Sequence, residues 1–140
     1  DASCRIQDIL TGMAYLNTRT DVNRCSLVGQ GASGPETLMA RSLVPRSKTG
    51  KTIIDANRFQ ASSDRYWAEH LYIPGIRSAG DFRTAVAMVV PGPLLIYNTG
   101  SQFPVQWIRN TYKAAEYPKA LRVSDRRLSQ TAIARWVTGE

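Results

Sequence analysis

The stretch Val28-Gly29-Gln30-Gly31-Ala32-Ser33-Gly34-Pro35 constrains this chain more than any other. An apolar run, Cys25-Ser26-Leu27-Val28, leads into it, and a helical pattern from Glu36 to Val44 leads out. Strand, tight glycine turn and helix, in that order, form the corner at which α/β proteins gather their chemistry. Backbone N–H groups of a helix start and side chains of a strand end converge there.

Read outward from this corner, the rest of the chain alternates. Ile6, Ile9, Leu10, Met13 and Leu16 recur at three- and four-residue steps and predict a helix over Arg5–Asn17, with Ser3 as its N-cap. Arg24–Val28 is the first strand, short and apolar as a strand covered on both faces should be. The next helix opens at Pro35 and stops before Pro45. Arg46–Gly50 is a basic loop, and Lys51–Ala56 the second strand, with Asp55 at its carboxyl end. A short helix is expected over Asp64–Leu71. A second, capped by Asp81, covers Phe82–Val89. Leu94–Asn98 is the third strand and Val105–Glu116 a helix. Ala120–Val123 is the fourth strand and Leu128–Val137 the last helix, with Leu128, Ala132, Ile133, Trp136 and Val137 inward. Strict alternation predicts right-handed crossovers. The expected fold is one α/β domain over residues 1–140: a mostly parallel sheet of about four strands with helices on both faces.

Composition narrows the function classes without choosing among them. The net charge is +7, but the cations are scattered from Arg5 to Arg135 and only Arg126-Arg127 are adjacent. Such an even spread argues against nucleic acid as a partner, because nucleic-acid binders cluster their charge. No apolar run approaches the roughly 20 residues of a membrane span. Two cysteines, Cys4 and Cys25, form neither a metal site nor a disulfide framework. They could bridge only if the first helix packs on the first strand, which would favour an extracytoplasmic setting; the compartment is otherwise open. The chain begins at Asp1 rather than Met, as if inside a longer translation product. Trp67, Trp107 and Trp136 read as core or interface anchors.

Two readings compete for the glycine corner. Gly29-Gln30-Gly31-Ala32-Ser33-Gly34 matches G-x-G-x-x-G, and Asp55 stands 21 residues beyond Gly34 at the end of the next strand. That is the context of a dinucleotide site formed by Gly29, Gly31, Gly34 and Asp55. Against it, Pro35 removes an N–H beside the phosphate, and a whole helix precedes the supposed first strand.

The second reading is the nucleophile elbow of a hydrolase. RIQDILTGMAYLNTRTDVNRCSLVGQGASGPETLMA, TIIDANRF, GDFRTAVAMVVPGPLLIYNTG and KALRVSD together resemble the C-terminal half of an α/β-hydrolase. The likeness is to bacterial acetylxylan-esterase-like and dienelactone-hydrolase-like proteins. It implies half of an α/β-hydrolase-type fold, with G-x-S-x-G aligned on Gly29-Gln30-Gly31-Ala32-Ser33. The nucleophile position is then Gly31, which has no side chain to attack with. The acid is expected in Thr99–Phe103, which holds no Asp or Glu, and the base near Asp125–Leu128, which holds no His. All three triad positions are empty. A substitute set, Ser33, Asp55 and His70, occurs in the order Ser, Asp, His, but Ser33 lies two residues past the elbow.

The resemblance also implies that strands pairing with one edge of Arg24–Val28 are missing. An open strand edge and uncovered apolar surface would then need a partner, either a chain carrying the N-terminal half or a second copy, and an exposed edge can propagate into a fibre. Three functions follow. The first is a catalytically inactive structural or interaction subunit without cofactor or metal. The second is an esterase for carbohydrate acetyl or similar acyl esters, active only with an N-terminal half in another chain. The third is a dinucleotide-binding module.

Overall fold

A computed structural model describes residues 1–139. The chain runs α1 (Ala2–Thr18), β1 (Cys25–Gly29), α2 (Ser33–Leu43), a 3-10 turn (Arg46–Lys48), β2 (Thr49–Asp55), α3 (Asp64–His70), α4 (Asp81–Val89), β3 (Leu94–Tyr97), α5 (Val105–Ala114), a second 3-10 turn (Pro118–Ala120), β4 (Leu121–Val123) and α6 (Gln130–Thr138). The four strands form one parallel sheet in the order β1-β2-β3-β4, so the chain advances across the sheet in one direction.

The register sorts side chains by the period-2 alternation of a strand. Gly29, Ile54 and Ile96 align on one face, and Val28, Ile53 and Leu95 on the other. The first face carries the main core. There Ile54, Leu94 and Ile96 meet Ile6 of α1, Leu38 of α2, Trp67 of α3, Phe82 and Val86 of α4, and Ile108 and Tyr112 of α5. Phe59, Trp67 and Phe82 meet at centroid distances of 4.6 to 5.0 Å within it. The second face is covered by α6 alone, through Ile133 with Trp136 and Val137 packed on Ile53, Leu95 and Tyr97. The α/β class, the parallel sheet and helices on both faces are thus as the alternation predicts, with five helices on one side and one on the other.

Several element ends differ from the sequence reading. Asp1, not Ser3, caps α1, its carboxylate accepting from Ser3 N–H at 2.8 Å. Helix α2 begins at Ser33 rather than Pro35, because Ser33 and Gly34 already donate back to the Gln30 and Gly31 carbonyls. Pro35 falls within the first turn, where a missing N–H costs nothing. Strand β2 starts at Thr49, inside the expected basic loop. Asn98 leaves β3 through a left-handed φ of 55°. Gly80, also left-handed, caps α4. Asp81 becomes its first residue, buried and held by Arg77 and Arg83 at 3.2 and 2.9 Å. Helix α6 starts after Leu128, with Ser129 as its cap.

Both cysteines are free: α1 packs beside α2 in the main layer, Cys4 is exposed, and no bridge to Cys25 forms. β1 lies at a sheet edge, with a strand on one side only. The apolar surface expected beside that edge is small. Val28 is 42% exposed there, whereas Tyr15, Leu43, Tyr72, Met88, Trp107 and Tyr117 are exposed elsewhere. Of the tryptophans, Trp67 is core, Trp136 half-buried and Trp107 exposed. Among the described residues no helix is long and apolar enough to cross a membrane.

Candidate functional site

The carboxyl ends of β1, β2 and β3 and the start of α6 enclose a shallow cleft of about 240 Å³. Gln30 and Gly31 come from the turn after β1, Asp55 from the end of β2 and Tyr97 from the end of β3. Arg127, Gln130 and Ile133 come from the segment after β4. The amides of Gln30 and Gln130 meet at 3.1 Å and tie the glycine turn to α6.

The three glycines of the turn do different work. A Cβ on Gly34 would lie 1.8 Å from the Asp55 carbonyl oxygen, so only glycine lets α2 come this close to β2. A Cβ on Gly29 would lie 2.5 Å from Thr37 Oγ1. Gly31, by contrast, has a φ of +56° and open space within 4 Å of where its Cβ would be. It is the apex of the bend, and it presents bare backbone to the cleft.

Asp55 is the hub of the corner. It is 6% exposed. Its carboxylate accepts from Gly31 N–H at 3.2 Å, from Asn57 N–H at 2.8 Å and from Asn98 Nδ2 at 2.8 Å. Asn98 extends the network, its N–H donating to the Arg126 carbonyl and its carbonyl accepting from Arg58 N–H. The ends of three strands and two loops are therefore tied to one buried acid. Beside it, burial raises the Tyr97 hydroxyl above the ordinary phenol range. The Asp55 charge adds to that shift, and Arg127 opposes it.

This geometry separates the candidate residues. Gly31 and Asp55 meet; Ser33 and His70 do not join them. Ser33 is exposed on the first turn of α2, where its carbonyl accepts from Thr37 Oγ1 at 2.7 Å. His70 ends α3, exposed, stacked on Tyr66 at 3.8 Å, with Nδ1 at 3.1 Å from the Tyr66 carbonyl oxygen. Among the described residues no hydrogen bond links Ser33, Asp55 and His70. The loop after β3 holds buried Thr99 and Phe103 where an acid was sought, and the loop after β4 offers Arg127 and Leu128 where a base was sought.

The same geometry weighs against a phosphate. The N–H of Gly31 is committed to a carboxylate, and those of Ser33 and Gly34 to the turn's own carbonyls. Glu36 lies buried in the first turn of α2, its Oε1 2.8 Å from Arg5 Nε. A pyrophosphate here would find the Gly31, Ser33 and Gly34 N–H groups already taken and the Asp55 carboxylate alongside. Asp55, the expected ribose ligand, already accepts from Gly31, Asn57 and Asn98. Among the described residues no three His, Cys, Asp or Glu side chains cluster to hold a metal.

Sequence reasoning missed Tyr97, Asn98, Gln30 and Gln130. Asn98 carried a signal, since an asparagine between a strand and Thr-Gly is a residue suited to left-handed backbone. The glutamines carried none, being brought together across 100 residues of sequence. No protein-family model matches the chain, and no curated protein or solved structure matches it.

Proposed function

We propose that this chain is a catalytically inactive, α/β-hydrolase-like structural or interaction subunit that associates along the β1 edge with another chain or with a second copy. One observation carries the proposal. The turn that would present a nucleophile ends in Gly31, whose missing side chain would have pointed into open space. The cleft in front of it contains Arg127 and Leu128 but no histidine. Its one carboxylate, Asp55, is spent on three structural hydrogen bonds. Such a site has neither an attacking group nor a base to activate water.

The association half rests on the sheet. β1 offers unpaired backbone along its outer side, with Val28 exposed next to it. In the resembled fold this strand is central, and the missing strands would lie there. An open edge of this kind is a template for strand pairing.

The test has two readouts. Incubated with a fluorophosphonate and with p-nitrophenyl acetate, the purified chain should take no label and release nitrophenol no faster than buffer. Labelling, or turnover lost in Ser33→Ala or His70→Ala, would overturn the inactive reading. Sedimentation velocity across micromolar concentrations should show self-association that weakens in Val28→Lys, or native purification should bring down a second chain. A monodisperse monomer purified without a companion would refute the association half. Turnover that appears only on adding a separate N-terminal half would establish the split esterase instead.

A further inference from the structure

The opposite side of the sheet holds a second feature, independent of the glycine corner and of the proposal above. Between α6 and the β3–β4 side of the sheet lies a groove of about 560 Å³. Its floor is apolar, made by Leu95, Val123, Leu128 and Ala132. Its rim carries Lys51, Arg122 and Arg135, and among the described residues no carboxylate lines it or pairs with these three cations. Some arginines elsewhere are paired with acids. Arg5, Arg19, Arg65, Arg77 and Arg83 each have an acidic partner. Among the described residues, then, the groove sets positive charge over apolar surface with no acid beside it.

It also borders a strand edge. β4 pairs with β3 alone, with Arg122 opposite Leu95, so its outer N–H and C=O groups have no strand beside them. We infer that this groove receives an acidic polypeptide segment that adds as a strand to β4, with glutamate or aspartate beside Arg122 and apolar side chains over Leu128 and Ala132. The three features point to this one occupant. Backbone groups at an edge are met by another backbone, which a nucleic acid or fatty acid lacks. The apolar floor rewards alternate side chains of an added strand. Trp136, which could have stacked a base, already has Lys51 Nζ 5.4 Å from its ring centroid, and that ammonium donates to the Trp136 carbonyl at 2.7 Å. Charge excludes the remaining choice. A second copy adding its own β4 would set arginine beside arginine, and one adding β1, Cys25–Gly29, would bring no acid to Arg122, whereas opposite charges favour neighbouring strands.

The experiment is fluorescence anisotropy of the full chain with a labelled ten-residue peptide alternating glutamate and valine. Controls are the matching lysine–valine peptide, polyglutamate of equal charge and oligo-dT. The glutamate–valine peptide should bind, more weakly as salt rises, and at least tenfold more weakly to Arg122→Glu. That variant should in turn gain affinity for the lysine–valine peptide, a swap that a merely misfolded protein cannot produce. No binding, equal binding of polyglutamate or oligo-dT, or binding indifferent to Arg122→Glu would overturn the inference. None of these outcomes bears on ester turnover or on association through β1.

Discussion

Gly34→Ala tests the packing that fixes the glycine corner. The added Cβ would stand 1.8 Å from the Asp55 carbonyl oxygen, and ordinary contact begins near 3.4 Å, so α2 and β2 would have to part by about 1.6 Å. The obstacle is backbone, so no side chain can swing aside. Added methylenes in tight cores usually cost about 1–3 kcal/mol. With both partners rigid, and with Leu38, Ala40 and Ile54 fully buried across the same interface, the loss belongs at the top of that range, about 3 kcal/mol or more. Alanine returns at most about 1 kcal/mol of helix propensity. The net expectation is about 2 kcal/mol or more of destabilisation, by the two estimates just given. Gly31→Ala is the internal control. It has open space around the new methyl and suffers only the left-handed backbone penalty of about 1–2 kcal/mol. Urea denaturation followed by far-ultraviolet circular dichroism reads both. A Gly34→Ala protein within about 0.5 kcal/mol of wild type, a shift of the size seen at featureless surface positions, would refute the close approach. So would a reversed order of the two variants.

Asp55→Asn should destabilise the fold by about 1–3 kcal/mol, because an amide nitrogen would replace one acceptor beside three N–H donors. Thermal melts at neutral pH check it, and an unchanged midpoint would remove Asp55 as the hub. Tyr112 is raised by burial above the ordinary phenol range, with Arg41 and Arg46 opposing the shift. A raised folded-state value means that its stabilisation is complete below about pH 10, the unfolded value, and is lost as pH climbs toward the higher folded one. Tyr112→Phe should lose about 1 kcal/mol at pH 7, with its bond to the Gly92 carbonyl, yet decline less steeply above pH 10 in urea titrations. Arg41 is 1% exposed, and Nη1 donates to the Val44 carbonyl at 3.1 Å. Among the described residues it pairs with no carboxylate. Arg41→Met should therefore be tolerated within about 1.5 kcal/mol, whereas Arg41→Ala, which also empties volume, should lose about 3 kcal/mol in chemical denaturation.

What the sequence made legible was whatever repeats at short range. The faces of α1, α5 and α6 follow from three- and four-residue spacing, and the parallel sheet from the alternation of strands with helices. The turn after Val28 was legible as a corner because its glycines are local. Its division of labour was not, because whether a glycine avoids a clash or supplies a positive φ depends on Asp55 and Thr37, which approach only in three dimensions. His70 was read as one member of a possible triad by order alone; stacking on Tyr66, four residues earlier, gives it a local reason to exist. The apolar surface expected beside β1 amounts to Val28, because α2 packs on that strand, a contact that no spacing in the sequence reveals. The charge around Arg122 escaped notice for a similar reason, since cations scattered along the chain converge only when β2, β4 and α6 assemble.

The unequal cladding of the sheet has a mechanical consequence. Five helices interlock over one side, but the other is shielded by nine residues, Gln130–Thr138, reached through an exposed Arg126-Arg127 pair. Ile133, Trp136 and Val137, the Lys51 bond to the Trp136 carbonyl and the paired glutamines hold that helix down, far fewer contacts than the other five helices share. It is the part that should peel away first, at far less free energy than global unfolding. Trypsin would then clip the chain at those two arginines while the five-helix body stayed folded, leaving Ile53 and Leu95 as a fresh sticky plane.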